Sequence, residues 1–186
     1  MSNSPKSQQA LEPFSYKYIQ EVREDFAEAT VPERIDYILQ IEKSLKASDL
    51  PPQDDGLHET LVNKIYTRTI QLPAGTVAVG EIHKQAHTNI LSQGSVLVAT
   101  EDGTQIIKAP HVWHGQPGVK RVSFVLEDVV WTTIHATDNT ESEDIRREFV
   151  AESYDEVSLL EEDNGMGSNS GSSGINTIPV ESSEES

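Results

Sequence analysis

Two histidines and a glutamate lie close together near the middle of the chain, in a pattern that suits metal chemistry. Five residues separate Gly75 from Glu81, which begins a Glu-Ile-His run ending at His83; three more residues precede His87 and six more precede Gly94. Residues two apart on a strand share a face, so Glu81 and His83 should point the same way, and His87 should meet them from a neighbouring strand. Such ligands suit Fe(II), Mn(II), Ni(II) or Zn(II), which makes a divalent metal the candidate cofactor.

The elements that would position these residues are short strands. From about Leu61 to Ala136, β-branched or aromatic runs alternate with turn signals, and no helical pattern of about 10–15 residues lies between them. Parallel βαβ units are therefore excluded, which leaves a sandwich, a small barrel or a jelly roll. We expect Gly94 to form a tight turn before the strand at Val96. The predicted strands are Ile65–Leu72, Thr76–Ile82, Val96–Ala99, Gln105–Lys108, Arg121–Leu126 and Val129–His135.

The segment from Gly75 to Gly94 resembles the first motif of the cupin family, which runs glycine, five residues, His-x-His, three or four residues, Glu, six residues, glycine. Glu81 occupies the first histidine position and His87 the glutamate position. The second motif ends in a metal-binding histidine, and the run from Gln116 resembles it with Arg121 at that position. The wider pattern is similar to small single-cupin proteins encoded by tailed phages. The resemblance implies a mainly β chain with one cupin (jelly-roll) barrel.

The resemblance also implies a set of ligands. His83, His87 and Glu81 would face the barrel interior, and His135 would replace the histidine that is missing at Arg121, because it shares a strand face with Trp131 and Thr133. Two alternatives are open: a metal-free cavity, in which the histidines hydrogen-bond each other or a ligand, and ordinary surface or core histidines without a shared site.

We expect Arg121, Trp131 and Thr133 to bind a ligand. A guanidinium directed into the barrel would bind a carboxylate or a phosphate in bidentate fashion. The alternative for Arg121 is an ion pair at the sheet edge with Glu127 or Asp128.

The segment 16–50 is predicted to form a helical extension. Apolar residues recur at helical spacing in the first helix, and Thr30, Pro32 and Glu33 form a helix start with a capping box. The apolar stripes favour a core or a dimer contact. Because the resemblance to cupins, which often pair, points the same way, we expect a homodimer. The residues expected on the buried faces are Ile19, Val22 and Phe26 in the first helix and Ile35, Ile38, Leu39 and Leu45 in the second.

Charge divides the rest of the chain. The net charge is −17, and residues 151–186 contain nine acidic residues and no basic one. We therefore predict a disordered acidic tail over 151–186, a flexible N-terminus over 1–15, and a barrel with a closing helix over 57–150. This acidity disfavours nucleic acid and membrane surfaces as partners, and no long apolar run indicates a membrane span. We expect a cytoplasmic protein, in the host cytoplasm if phage-encoded, or one associated with a virion.

Two functions are compatible with these patterns. The first is a protein that binds a small molecule, an anion or a metal in a histidine-lined barrel, with catalysis left open. The second is a non-catalytic phage structural or assembly protein, or an effector that contacts a host protein, in which the barrel is a scaffold. In that second case the helices or the tail would contact the protein partner.

Overall fold

The computed structural model describes residues 15–48 and 56–157, and within them the chain forms an antiparallel β structure preceded by two helices. This confirms the fold class predicted from the sequence. None of the helices in the described ranges is long and apolar enough to span a membrane. The elements are α1 (Tyr16–Glu28), α2 (Val31–Ala47), β1 (His58–Val62), β2 (Ile65–Leu72), β3 (Val77–Val79), β4 (Ile82–His83), β5 (His87–Thr100), β6 (Gly103–Lys108), β7 (His111–Gly115), β8 (Val122–Ala136), α3 (Ser142–Phe149) and β9 (Val150–Ala151).

Two long neighbouring strands, β5 and β8, carry the architecture. β8 pairs with β3 through its first residues and with β2 through its last ones, and β5 pairs with β7 and then with β6. Each of the two strands therefore pairs with one outer strand along its first part and with a different one along its last part. Two predictions are corrected here. The segments Arg121–Leu126 and Val129–His135 belong to one strand, and Val96–Ala99 is the end of a strand that begins at His87.

The run from Val96 to Ala99 is buried on both faces of the sheet. Val96 and Val98 face the interior cluster, whereas Leu97 and Ala99 face the helices. Alternate residues of a strand point to opposite faces, so an unbroken apolar run requires cover on both sides. The helices supply the outer cover.

The stripe on α1 is a core contact. Ile19, Val22 and Phe26 are at most 6% exposed and pack with the outer faces of β5 and β8. The prediction for α2 is partly wrong, because Ile38 is fully buried but Leu39 and Leu45 are 38% and 37% exposed. Ile38 and the partly buried Ile41 pack against the sheet, whereas Leu39 and Leu45 do not belong to this contact.

The capping box at the start of α2 is confirmed. The backbone N–H and the hydroxyl of Thr30 both donate to the Glu33 carboxylate, at 2.8 and 2.6 Å. Pro32 lies in the first turn of the helix, as predicted. At that position its missing N–H costs no intrahelical hydrogen bond.

The C-terminal boundary of the barrel lies later than predicted. β9 pairs with β4, and Val157 is buried against Ile82, so residues 151–157 belong to the folded domain. The rest of the predicted acidic tail, together with residues 1–14 and 49–55, lies outside the described residues. α3 confirms a helix after Asp138, but its Ile145 and Phe149 are buried and close one end of the barrel.

Gly94 lies inside β5 and not in a tight turn, which corrects the sequence prediction. The register of β5 against β8 shifts between Gln93 and Ser95, and Gly94 has a φ of +78°. A Cβ atom at this position would lie 2.2 Å from the carbonyl oxygen of Asp128. The glycine therefore permits a β-bulge at which the two long strands approach closely.

We predict that Gly94→Ala lowers the free energy of unfolding by about 3 kcal/mol or more, since the change adds a collision to the backbone strain. Gly118→Ala is the matched control: its φ is also +78°, but the nearest heavy atom to its Cβ position is a side-chain methyl of Val157, 3.3 Å away. The control should lose only about 1 kcal/mol. Denaturant unfolding of both variants measures the difference, and equal losses would contradict a steric role for Gly94.

Candidate metal centre and cavity

A cavity of about 550 Å³ lies inside the curved sheet. Its lining combines polar residues, among them His83, His135 and Asn89, with apolar ones. The α3 residues Ile145, Arg146 and Phe149 lie at one end of it. The apolar lining residues include Ile70, Leu72, Val96, Val125, Val129 and Trp131.

Three strands bring His83, His87 and His135 together: β4 and β5 are consecutive in the sequence, and β8 is distant from both. One ring nitrogen of each lies within 4.8 Å of a ring nitrogen of the other two. The ring centroids of His83 and His87 are 4.0 Å apart, and that of His135 is 5.1 Å from each. β5 and β8 are antiparallel, and Thr88 pairs with Ile134. His87 precedes Thr88 and His135 follows Ile134, so the two histidines lie opposite each other. β4 places His83 beside them.

The hydrogen bonding of His87 leaves one nitrogen available. Its Nδ1 lies 3.2 Å from the carbonyl oxygen of Gln85, which can only accept, so Nδ1 carries the proton and Nε2 has a free lone pair. This Nε2 and the Nδ1 of His83 are buried, and neither has a hydrogen-bond partner among the described residues. No hydrogen bond joins the three rings within that part of the chain. A divalent metal would satisfy both nitrogens, so these residues fit a metal.

Two neighbours hold the rings in place. The ring of Phe149 stacks on that of His135, with centroids 3.9 Å apart, and so covers the cluster from α3. Gly115 lies opposite His87 in the pairing of β7 with β5. A Cβ atom on Gly115 would lie 2.3 Å from Cε1 and Nε2 of His87, so only glycine leaves room for the ring.

Burial keeps all three imidazoles neutral. It lowers the pKa of His87 and of His135 to about 4, and it lowers that of His83 further with help from the two neighbouring rings. Arg121 also lowers the pKa of His83 and His87, because a nearby cation disfavours a second positive charge. Neutral imidazoles are the form that binds metals.

Glu81, the fourth predicted ligand, is not part of the cluster. Its carboxylate is ion-paired with Arg146 of α3, and its side chain is 44% exposed. The same-face rule applied to Glu81 and His83 presumes a regular strand, but β4 begins at Ile82 and contains only two residues. A metal-ligand role for Glu81 would require it to leave Arg146.

The predicted ligand-binding residues all line the cavity. Arg121 is 8% exposed, and its guanidinium carbon lies 6.0 Å from the Trp131 ring centroid. It makes no ion pair with Glu127 or Asp128, which removes the sheet-edge alternative. The polar atoms of Trp131 and Thr133 are already engaged, since both donate to Oδ1 of Asn89, at 3.0 and 3.4 Å.

Sequence reasoning missed Asn89 and Gly115. Asn89 is two residues after His87 on β5 and therefore shares its face, a signal that the spacing contained. It is 1% exposed, and its Nδ2 has no hydrogen-bond partner among the described residues. Gly115 could be identified only from the register of β7 against β5, which the sequence does not specify.

The strands and histidines together define the class of this chain, an antiparallel β barrel of jelly-roll type with a candidate metal centre. No family model matches the sequence, and no curated protein matches it at a significant level. Among solved structures, it is similar to a cupin-2 domain containing protein from Shewanella frigidimarina, with 14% identity over 53% of this chain and 92% of the other and a TM-score of 0.39.

Two further structures are similar at the same level. Protein NMB1881 from Neisseria meningitidis has 12% identity over 52% of this chain and 95% of its own, with a TM-score of 0.39. Ectoine synthase from P. lautus has 12% identity over 51% of this chain and 72% of its own, with a TM-score of 0.42.

We predict that the metal-free protein loses stability as the pH falls from about 6.5 toward about 4. The unfolded chain takes up protons on these histidines at a higher pH than the folded chain, so acid favours unfolding in this interval. Urea unfolding of the chelator-treated protein across this range measures the slope. A His83→Gln/His87→Gln/His135→Gln variant should show a smaller slope, and an unchanged slope would contradict the burial of neutral rings.

Proposed function

We propose that this chain is a metal-binding cupin-type protein, in which His83, His87 and His135 hold a divalent metal next to a cavity for a small molecule. One observation carries the proposal: three buried imidazoles converge to within 4.8 Å, and two of their nitrogens have no hydrogen-bond partner among the described residues. Leaving buried polar atoms unsatisfied destabilises a fold, so a bound metal explains such a cluster better than side-chain packing does.

The donor set indicates the metal class. Three neutral imidazoles without a thiolate suit Fe(II), Mn(II), Ni(II) or Zn(II). When bound, such an ion supplies Lewis-acid polarisation or, for a redox-active metal, dioxygen activation to a ligand in the cavity. Because the protein supplies three histidines and no carboxylate, the metal would keep coordination positions that a donor atom of the small molecule could occupy.

The surrounding residues of this chain prepare the site. The Gln85 carbonyl fixes the tautomer of His87, and Phe149 shields His135 from solvent. Fixing the outer nitrogen of a ligating histidine orients the ring and raises its basicity. Asn89 and Arg121 present donors to the cavity beside the histidines, where they would contact a bound molecule.

A second function, a scaffold for a protein partner, is favoured by apolar side chains left exposed on the helices. Tyr16 of α1 is 80% exposed, and Val31 and Tyr37 of α2 are 49% and 43% exposed. A partner that covered them would not need the cavity. The metal measurement below separates this function from the first.

We predict that the protein, purified without metal-affinity resin and reconstituted with each of the four metals in turn, binds one equivalent of at least one of them. A His83→Ala/His87→Ala variant should lose it, because two of the three donors are gone. The His111→Ala/His114→Ala variant is the control, since both of its histidines lie on β7 outside the cluster. Elemental analysis and native mass spectrometry measure the stoichiometry. Wild type without metal, or an equal loss in the control, would overturn the proposal.

We also predict that Gly115→Ala weakens metal binding by about 10- to 100-fold, because the new methyl group displaces the His87 ring. Competition with a chromogenic chelator measures the affinity. Gly80→Ala is the control, since its Cβ atom would meet Cγ of Arg121 at 3.0 Å and no histidine. Wild-type affinity in Gly115→Ala would show that the position of His87 does not govern binding.

A further inference from the structure

Arg121 is a buried cation whose guanidinium makes no ion pair within the described residues. Its side chain is 8% exposed, and within residues 15–48 and 56–157 the guanidinium makes no hydrogen bond. The closest compensating charge is that of Glu101, which lies beyond ion-pair distance and raises the pKa of Arg121 against the effect of burial. The adjacent Lys120 is 6% exposed, but its Nζ lies 3.1 Å from the Glu42 carboxylate. A guanidinium does not lose its proton in a protein, so burying it without an ion-pair partner is unfavourable, and the charge of Glu101 offsets this cost only in part. A ligand that supplies negative charge would remove this cost.

The fold holds Arg121 in this position. The N–H of Gly80 donates to the Arg121 carbonyl oxygen at 2.9 Å, and a Cβ atom on Gly80 would lie 3.0 Å from Cγ of Arg121. The glycine thus leaves a groove that the arginine stem fills. The guanidinium carbon also lies over the Trp131 ring, 6.0 Å from the ring centroid. Both neighbours direct the charged end into the cavity.

Asn89 is a second donor without a partner. Its Oδ1 accepts from Nε1 of Trp131, and since an indole can only donate, the orientation of the amide is settled. The Nδ2 group therefore offers its two protons, and it is buried with no acceptor among the described residues. Arg121 lies over the Trp131 ring and Asn89 accepts from its Nε1, and all three residues line the cavity. The two donors therefore lie in one region of the cavity.

The remaining lining restricts the ligand. Much of the lining is apolar, with Leu72, Val125 and Val129 among its residues. Two other cations line the cavity, but each lies beside a carboxylate: Arg146 pairs with Glu81, and Arg68 lies 4.0 Å from Glu59. Arg121 is the lining cation that has no ion pair among the described residues, and its single charge, already partly offset by Glu101, matches a monoanion better than a dianionic phosphate.

We propose that the cavity binds a monocarboxylate with an apolar body, whose carboxylate lies on Arg121 and whose oxygen atoms accept from Nδ2 of Asn89. The planar guanidinium matches a carboxylate in bidentate geometry, and the apolar part of the lining accommodates the rest of the molecule. A cavity of about 550 Å³ suits a small organic acid. This subsite does not require the metal centre, so it goes beyond the proposed function and can be tested without a metal.

Benzoate, phenylacetate and hexanoate are suitable probes, with benzamide as the uncharged equivalent of benzoate. The full-length protein is treated with EDTA, and binding is followed by ligand-observed NMR and calorimetry at millimolar concentrations. We expect at least one acid to bind to wild type, benzamide to bind more weakly than benzoate, and Arg121→Gln to lower the affinity for the acid by about tenfold or more. Arg121→Lys should recover part of the loss. Arg147→Gln, on the exposed surface of α3, should bind like wild type.

Several results would overturn the carboxylate subsite. These are no binding of any of the three acids to wild type, equal binding of benzoate and benzamide, or wild-type affinity in a folded Arg121→Gln variant. Inorganic phosphate that binds more tightly than the acids in an Arg121-dependent way would assign the subsite to phosphate instead. Thermal unfolding of each variant confirms that it is folded. Metal content measured in Arg121→Gln keeps the two proposals separate, because it should equal that of wild type whatever happens to the acids.

Discussion

The antiparallel pairing of β5 with β8 is the constraint on which the cavity and its polar groups depend. Asn89 faces Thr133 and Leu91 faces Trp131 in this register, and the same pairing carries His87 to His135. Because neighbouring residues of a strand point to opposite faces, a slip of one residue would turn all of these side chains out of the barrel. The register of main-chain hydrogen bonds between β5 and β8 therefore brings the two halves of the site together.

The same pairing explains why the two faces of the sheet differ so strongly. The outer face of β5 and β8 meets α1 and α2 through side chains that are almost entirely apolar. The inner face combines apolar residues with three histidines, an asparagine and an arginine whose hydrogen-bonding capacity is only partly used within the described chain. Groups of that kind reduce stability, and natural folds retain them where they contact a ligand. The outer face provides the compensating stability.

Much of this architecture could be predicted because local patterns report on it. Helical spacing identified Ile19, Val22 and Phe26, the Thr30 and Glu33 pair identified the start of α2, and the histidine spacing identified the region of the cluster. Patterns of this kind depend only on neighbours in the sequence. His135 was assigned to the cluster from its strand face and from the cupin resemblance, and the structure places it beside the other two rings.

The errors share one cause, which is that they depend on partners distant in the sequence. Glu81 has the right chemistry for a ligand, but Arg146 of α3 takes its carboxylate. Gly94 has the positive φ that glycine permits, yet the approach of Asp128 from β8 makes it a bulge within a strand. Residues 151–157 read as part of an acidic tail, because nothing in their composition reveals that Ala151 and Val157 pack against Ile82.

The way the barrel is closed has a consequence for how molecules reach its interior. β9 joins β4 through only two residue pairs, and this short ladder lies next to His83 and to Phe149, whereas β5 and β8 are joined along most of their length. Local opening is easiest where few backbone hydrogen bonds must break together. A small molecule can therefore enter or leave the cavity when the β4–β9 pair separates briefly, while β5, β8 and the helices that cover them remain in place.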